Sequence, residues 1–132
     1  MVTLYSTGTK TPAEAAKLIS QIEISDPGKQ ELYSDLGFIV LGYILEKIHG
    51  VQLDQLAKKY IFDPLGMENT CFSPFPGAAA TEVVDGKPLV GVVHDENSRA
   101  LGGKCGHAGL FSTAEDLMKF SKSLLSGTLL SS

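Results

Sequence analysis

Apolar positions recur with helical spacing in four stretches of the chain. The first begins at the capping box Thr11–Glu14, in which the threonine can cap a helix and the glutamate can reach back to it. The second, Leu36–Gly50, is apolar over more than one face and is therefore predicted as a buried core helix. The third covers Leu53–Ile61, and the last starts at a second capping box, Ser112–Glu115, and ends at Gly127.

Two glycines, Gly37 and Gly42, interrupt the interior of the second stretch. Each costs roughly 1 kcal/mol relative to alanine at such a position. We therefore expect another element to approach the helix closely at both glycines. Gly50 is expected to end the helix.

Between Glu68 and Gly109 the helical spacing is lost, and glycine, proline and alanine accumulate. Only Lys87–Val93 has the composition of a short strand. Irregular connections of this length are uncommon in compact domains unless they line a site or move. The predicted fold class is mainly α, with a long irregular loop and at most a short strand or hairpin, in a single domain over residues 1–132.

The composition of the chain argues against several classes of function. The formal charge is −4 and the eleven basic residues are scattered, so no basic patch indicates nucleic acid as a partner. The most apolar run, Leu36–Leu45, is too short to span a bilayer, and no signal peptide is predicted, so localisation stays undetermined. Cys71 and Cys105 are expected to be free thiols, and because no zinc-type spacing joins them to a histidine, no metal or cofactor is predicted.

Tyr33-Ser34-Asp35 stands directly in front of the predicted core helix. Unsatisfied backbone donors and the positive end of the helix dipole favour negative charge there, so a Tyr33 phenolate is expected to form more easily than usual. Such a tyrosine could serve a serine-nucleophile enzyme as a base. In the simpler interpretation, Ser34 or Asp35 only caps the helix and Tyr33 packs against it. The position and composition of these residues do not decide between the two interpretations, a catalytic tyrosine and a simple helix cap.

A second polar cluster lies in the glycine-rich segment VVHDENSRALGGKCGHAGLFST, residues 92–113. In one interpretation Asp95 and Asn97 make turns, Arg99 pairs with a carboxylate, and His107 is a hydrogen-bonded loop residue. In the other, the glycines let the backbone approach a ligand closely and the polar groups contact it.

Three blocks of the sequence, taken in order, resemble the serine beta-lactamase and penicillin-binding-protein superfamily. They are Tyr33-Ser34-Asp35 followed by LGFIVLGYILEKIHG, then IFDPLGMENTCFSP, then VHDENSRALGGKCGHAGLFSTAEDLMKF. The resemblance runs from about Leu32 to Leu125. It is strongest to the class C-like serine hydrolases and esterases, including those linked to cell-wall recycling.

The resemblance implies acyl transfer, in which a serine attacks a carbonyl, a lysine and a tyrosine move the protons, and water releases the acyl-enzyme. In this superfamily the second active-site motif is Tyr-x-Asn, so Tyr33 corresponds to the catalytic base or proton relay. Asp35 stands where the motif has an asparagine that contacts substrate and lysine. His107 lies on a loop that lines the substrate side of the cleft, so Asp35 and His107 are both expected to bind substrate.

The implied fold is the helical lobe of the beta-lactamase/transpeptidase-like fold, and the implied substrate is a cell-wall peptide, a beta-lactam or another small amide or ester. However, the sequence contains no Ser-x-x-Lys, and no Lys-Thr-Gly or His-Thr-Gly follows Leu125. We therefore expect the chain to be the central segment of a longer hydrolase and to be inactive alone. The alternative is a non-catalytic helical module that binds a partner or associates with itself through uncovered apolar surface.

Overall fold

The computed structural model describes residues 4–24, 26–29, 31, 33–73 and 75–129. Its helices are a 3-10 turn Leu4–Thr7, α1 Pro12–Ile19, α2 Asp35–His49, α3 Leu53–Ala57, α4 Asp63–Leu65, α5 Glu96–Ala100 and α6 Ala114–Ser126. A π-helical turn, Lys58–Phe62, joins α3 to α4. Its strands are β1 Cys71–Phe72, β2 Ala80–Val84, β3 Lys87–Val90 and β4 Leu110–Phe111.

The ends of the predicted helices follow their sequence signals closely. The Thr11 side chain accepts a hydrogen bond from the Glu14 N–H, and the Glu14 carboxylate accepts one from the Thr11 N–H, so the first capping box is confirmed. Helix α2 ends at Gly50, which has a left-handed φ of 69°. The last capping box is wrong by one residue, because Thr113 caps α6 and its side chain accepts from the Asp116 N–H.

Helix α2 is less buried than predicted. Only Ile39 and Gly42 are buried on it. Ile39 joins a small core with Leu4, Ala15, Leu101 and Cys105, where α1, α2 and the segment after α5 meet. Leu36, Val40 and Tyr43 are half-buried, and five further apolar side chains of α2 are exposed: Phe38, Leu41, Ile44, Leu45 and Ile48. The prediction of a buried core helix is therefore wrong for the described chain, which leaves most of this apolar surface uncovered.

The helices of the described residues differ from membrane spans in length and composition. No single helix among them is both long and apolar enough to cross a bilayer. Helix α2 and the segment Leu53–Leu65 meet the length and composition requirement only as a pair, across a bend of 78°.

The mainly α fold class is wrong. Of the described residues, 47% are helical and 11% lie in strands, which form two small antiparallel sheets, so the fold is mixed. Strands β2 and β3 form a hairpin around Asp85 and Gly86, both of which have positive φ. Strands β1 and β4 pair Cys71 with Phe111. Only β3 lies in the predicted strand segment; the two-residue strands β1 and β4 have too little local pattern to predict, because tertiary pairing creates them.

A buried carboxylate fixes α6 to the rest of the fold. Asp116 is fully buried, and its oxygens accept hydrogen bonds from the Asn69 N–H at 2.8 Å, the Thr70 hydroxyl at 2.9 Å and the Lys119 ammonium at 2.8 Å. Lys119 also donates to the Gly66 carbonyl at 2.6 Å. Because Gly66, Asn69 and Thr70 lie between α4 and β1, the network ties α6 to the segment that joins these two elements.

Candidate functional site

Ser34 caps α2 and leaves its two neighbours available for other contacts. The Ser34 hydroxyl oxygen accepts a hydrogen bond from the Leu36 N–H at 3.3 Å, which confirms a cap at this position. Asp35 is the first residue of α2, and the Tyr33 side chain before the cap is 83% exposed. The phenol is therefore open to solvent.

The glycine-rich loop reaches the first turns of α2 because two glycines let the backbones touch. A Cβ on Gly106 would lie 2.1 Å from the Phe38 carbonyl oxygen, and a Cβ on Gly42 would lie 3.2 Å from the Gly106 nitrogen. The close approach expected at Gly42 is confirmed. At Gly37 the expectation is wrong, because no atom of another described element lies within 4 Å of a Cβ there. The contact brings the next loop residue, His107, close to Asp35.

Asp95 links this loop to α5. As the N-cap of α5, its Oδ1 accepts from the Ser98 N–H at 2.7 Å, and the same oxygen lies 2.8 Å from His107 Nε2. The side chain of His107 is 3% exposed and that of Asp95 is 25% exposed. Burial opposes ionisation of Asp95, but the hydrogen bonds from Ser98 and His107 outweigh it and lower the pKa of its carboxyl. Asp95 is therefore ionised at neutral pH.

Asp35, Asp95 and His107 bring one ligand-type atom each to within 4.8 Å of one another. Carboxylate oxygens and imidazole nitrogens are atoms that Zn²⁺ and Mn²⁺ accept. Within the described ranges this group has three members, and His107 Nε2 and Asp95 Oδ1 already hydrogen-bond to each other. We describe the group as a hydrogen-bonded polar cluster and assign no metal to it.

The Tyr33 phenol is less acidic than the sequence predicts. Its hydrogen bond with Asp35, the charge of that carboxylate, slight desolvation and the charge of Asp95 all raise the pKa of Tyr33. The expectation of an easily formed phenolate is therefore wrong for the described chain, since the neighbouring carboxylates disfavour the negatively charged form of Tyr33. A cation placed beside these carboxylates would oppose their effect.

His107 also lines a cavity of about 660 Å³ beside β4. Its walls include the apolar residues Phe75, Leu110 and Phe111 and the polar residue Ser112. Apolar walls with a few polar groups are typical of sites for small organic groups. Another concavity, of about 530 Å³, lies between α1 and the end of α2 and has none of the site residues in its lining.

Of the predicted site residues, Asp35 and His107 come together and Tyr33 interacts with Asp35. Their roles in catalysis and substrate binding stay predictions. Asp95 was missed, because the sequence interpretation used it only as a turn residue. Its position as a helix cap is a readable local signal, whereas its bond with His107 depends on the folded loop.

The chain matches the family model described as Beta-lactamase over residues 3–132. A relative from Salmonella heidelberg (strain SL476), described provisionally as a D-alanyl-D-alanine carboxypeptidase, is 35% identical over 76% of this chain and 28% of its own length. The chain thus spans about 28% of that relative.

Two solved structures share the fold. An octameric penicillin-binding protein homologue from Pyrococcus abyssi is similar with a TM-score of 0.67 and 25% identity, over 89% of this chain and 27% of that one. A penicillin-binding protein from Bacillus halodurans is similar with a TM-score of 0.63 and 23% identity, over 92% of this chain and 38% of that one. The resemblance found in the three sequence blocks is confirmed, and the chain belongs to the beta-lactamase family of hydrolases.

Proposed function

We propose that this chain forms the tyrosine side of the active site of a serine hydrolase that cleaves an amide or ester bond by acyl transfer. The proposed substrate is a cell-wall peptide or a beta-lactam. The observation that supports this proposal most directly is the placement of Tyr33 and Asp35 at the start of α2, with His107 held close to Asp35 by the glycine-rich loop. Membership in the beta-lactamase family and the similarity to a carboxypeptidase relative support this reaction class.

In acyl transfer the attacking serine must give up its hydroxyl proton. The sequence lacks Ser-x-x-Lys, so we assign the serine and the lysine to a part of the protein outside this chain. Because Asp35 raises the pKa of Tyr33, the phenol stays protonated at neutral pH in the described chain. An ammonium group beside Asp35 would offset that carboxylate and allow Tyr33 to relay the proton.

The 132-residue chain alone is expected to show no significant turnover, because it lacks the family's nucleophile and such a loss costs several orders of magnitude in rate. The test incubates the chain with a chromogenic beta-lactam and with an activated ester, and follows product release and intact mass. Acylation of a serine of this chain, seen as a mass increase, would contradict the prediction.

The role of Tyr33 is testable in the longer protein that contains this chain. Tyr33→Phe is expected to slow acylation at least about 100-fold, the usual contribution of a general acid or base. Tyr60→Phe, on the π-helical turn, is the matched control and should acylate normally. If the two variants acylate at the same rate, Tyr33 is not the proton relay.

The alternative is a non-catalytic helical module that associates with itself. The favouring observation is the exposed apolar surface of α2 and α6: Phe38, Leu41, Ile48, Leu117, Met118 and Leu125. Light scattering at several concentrations tests it, and mass that grows with concentration would support it. A strictly monomeric chain that unfolds cooperatively would instead indicate a self-sufficient single domain over residues 1–132.

A further inference from the structure

We propose that Asp95 is a positioning residue of this site: held as the N-cap of α5, its carboxylate orients the His107 imidazole beside Asp35 and keeps the ring proton on Nε2. The inference rests on the proposed function, because it concerns the histidine that is predicted to bind substrate. It adds a residue that the family resemblance did not supply.

The Asp95 carboxylate is held in place by the chain around it. Its Oδ1 accepts from the Ser98 N–H at 2.7 Å, and Ser98 is fully buried. The Ser98 hydroxyl in turn donates to the Ala108 carbonyl at 2.9 Å, directly after His107. Ser98 therefore holds both Asp95 and the loop that carries His107. Its backbone N–H binds the Asp95 carboxylate, and its hydroxyl binds the loop.

The position of the proton follows from the chemistry of the two groups. An ionised carboxylate can only accept hydrogen bonds, so His107 Nε2, 2.8 Å from Asp95 Oδ1, must donate. In a neutral imidazole the single N–H then lies on Nε2, and Nδ1 is a bare acceptor. His107 Nδ1 is buried and has no hydrogen-bond partner within the described chain. Asp95 thus supplies the hydrogen bond that orients the ring.

Ring orientation matters because His107 stands between the carboxylate cluster and the cavity beside β4. Without the Asp95 carboxylate, the imidazole could turn about its side-chain bonds and exchange the positions of its two nitrogens. The ring would then present its N–H donor to a bound group in some molecules and its bare acceptor nitrogen in others. We therefore expect Asp95 to set the pattern without touching the substrate.

Nuclear magnetic resonance of the 132-residue chain with ¹⁵N-labelled histidine tests the inference. At about pH 8.5, well above the ordinary imidazole pKa of about 6.5, His107 should show a protonated Nε2 and a bare Nδ1. Its Nε2 proton should exchange with water at least about tenfold more slowly than the ring proton of exposed His49, as expected for one retained hydrogen bond.

Three variants separate positioning from folding. Asp95→Ala should abolish the protected Nε2 proton. Asp95→Asn retains a cap for α5 and an oxygen that can accept from Nε2, so it should keep α5 folded and preserve part of the protection. Asp35→Asn, the matched control, should leave the signal in place.

A proton found on Nδ1 of the wild-type ring, or a protected Nε2 signal that survives Asp95→Ala, would overturn the inference. If Asp95→Ala does not fold, the decision falls to Asp95→Asn, in which unchanged protection would overturn it. The readout does not depend on hydrolysis. Failure of the proposed enzymatic function would therefore leave this result unaffected, and the two failures can be told apart.

Discussion

Two aspartates at helix starts, Asp116 of α6 and Asp95 of α5, use their carboxylates in opposite ways. Asp116 is fully buried, and a backbone N–H, a hydroxyl and an ammonium occupy both of its oxygens. Asp95 is partly exposed, and a single oxygen carries both its cap bond and its bond with His107. It also lies close to a second carboxylate, Asp35.

The difference separates a polar cluster that stabilises the fold from one that can serve a ligand. Buried polar groups whose hydrogen bonds are all made rigidify a structure. The Asp95 cluster has two neighbouring carboxylates and an imidazole nitrogen with no hydrogen-bond partner among the described residues, so it can still accept hydrogen bonds and bind positive charge. The Asp95 cluster is therefore the better candidate for chemistry, and the Asp116 network the better candidate for stability.

Asp116→Ala should produce the largest effect, because it leaves the Asn69 N–H and the Lys119 ammonium without their buried partner. We expect the midpoint of thermal unfolding, followed by circular dichroism, to fall by roughly 10 °C. Asp26→Ala is the matched control, since it removes an exposed carboxylate paired with Lys29 and should shift the midpoint by less than about 2 °C. If both variants lower the unfolding midpoint equally, the Asp116 network does not stabilise the fold more than an exposed ion pair does.

The same network predicts a dependence of stability on pH. The Lys119 ammonium, followed by Thr70 and Asn69, lowers the pKa of Asp116 in the folded chain despite its burial. Its stabilisation is therefore complete above the ordinary aspartate pKa of about 3.9 and is lost as pH falls toward the lower folded-state value. Asp116→Asn should lose less stability than wild type below about pH 4. The free energy of unfolding of both proteins is measured in urea as a function of pH. If it falls in parallel for wild type and Asp116→Asn, a group other than Asp116 dominates the loss of stability in acid.

Gly106→Ala should have the next largest effect and should act on the Asp95 cluster. A Cβ there would meet the Phe38 carbonyl at 2.1 Å, so the loop must move away from α2. We expect a loss of about 1–3 kcal/mol in the free energy of unfolding, together with changed ring signals of His107.

Gly37→Ala is the matched control for that change. It lies in helix α2, and no other described element has an atom within 4 Å of its Cβ, so it should raise the free energy of unfolding by about 0.5–1 kcal/mol. Denaturant titration compares the two variants. Similar destabilisation in both would mean that the contact between loop and helix does not hold the site together.

Asp35→Asn should have the smallest effect on stability, within about 0.5 kcal/mol. Its effect should appear on Tyr33, whose pKa is raised chiefly by the hydrogen bond with Asp35 and by that carboxylate's charge. The pKa of Tyr33 should fall toward its ordinary value, measured by ¹³C resonance of the labelled tyrosine ring. Asp85→Asn, which removes the same charge in the hairpin turn, should leave Tyr33 unchanged. An unchanged pKa of Tyr33 in Asp35→Asn would show that Asp35 does not influence the ionisation of Tyr33.

Local signals in the sequence were sufficient for the start of α1 and for the ends of α2 and α6. A threonine cap with its glutamate partner set the start of α1, and glycines that adopt a left-handed φ ended α2 and α6. The hairpin of β2 and β3 also had a local signal, Asp85-Gly86 between apolar residues, which the initial prediction did not use. The error in fold class arose partly from that omission.

The sequence by itself determined the family, the approximate positions of α1, α2, α3 and α6, and the candidates Tyr33, Asp35 and His107, because these depend on motifs and on contacts within a few residues. Only the tertiary structure decided that Asp95 bonds to His107, that Gly106 rather than Gly37 carries a close contact, and that Tyr33 is less acidic than usual. Each of these depends on the distance between atoms from different elements, and hydrophobic spacing along a chain does not specify such distances.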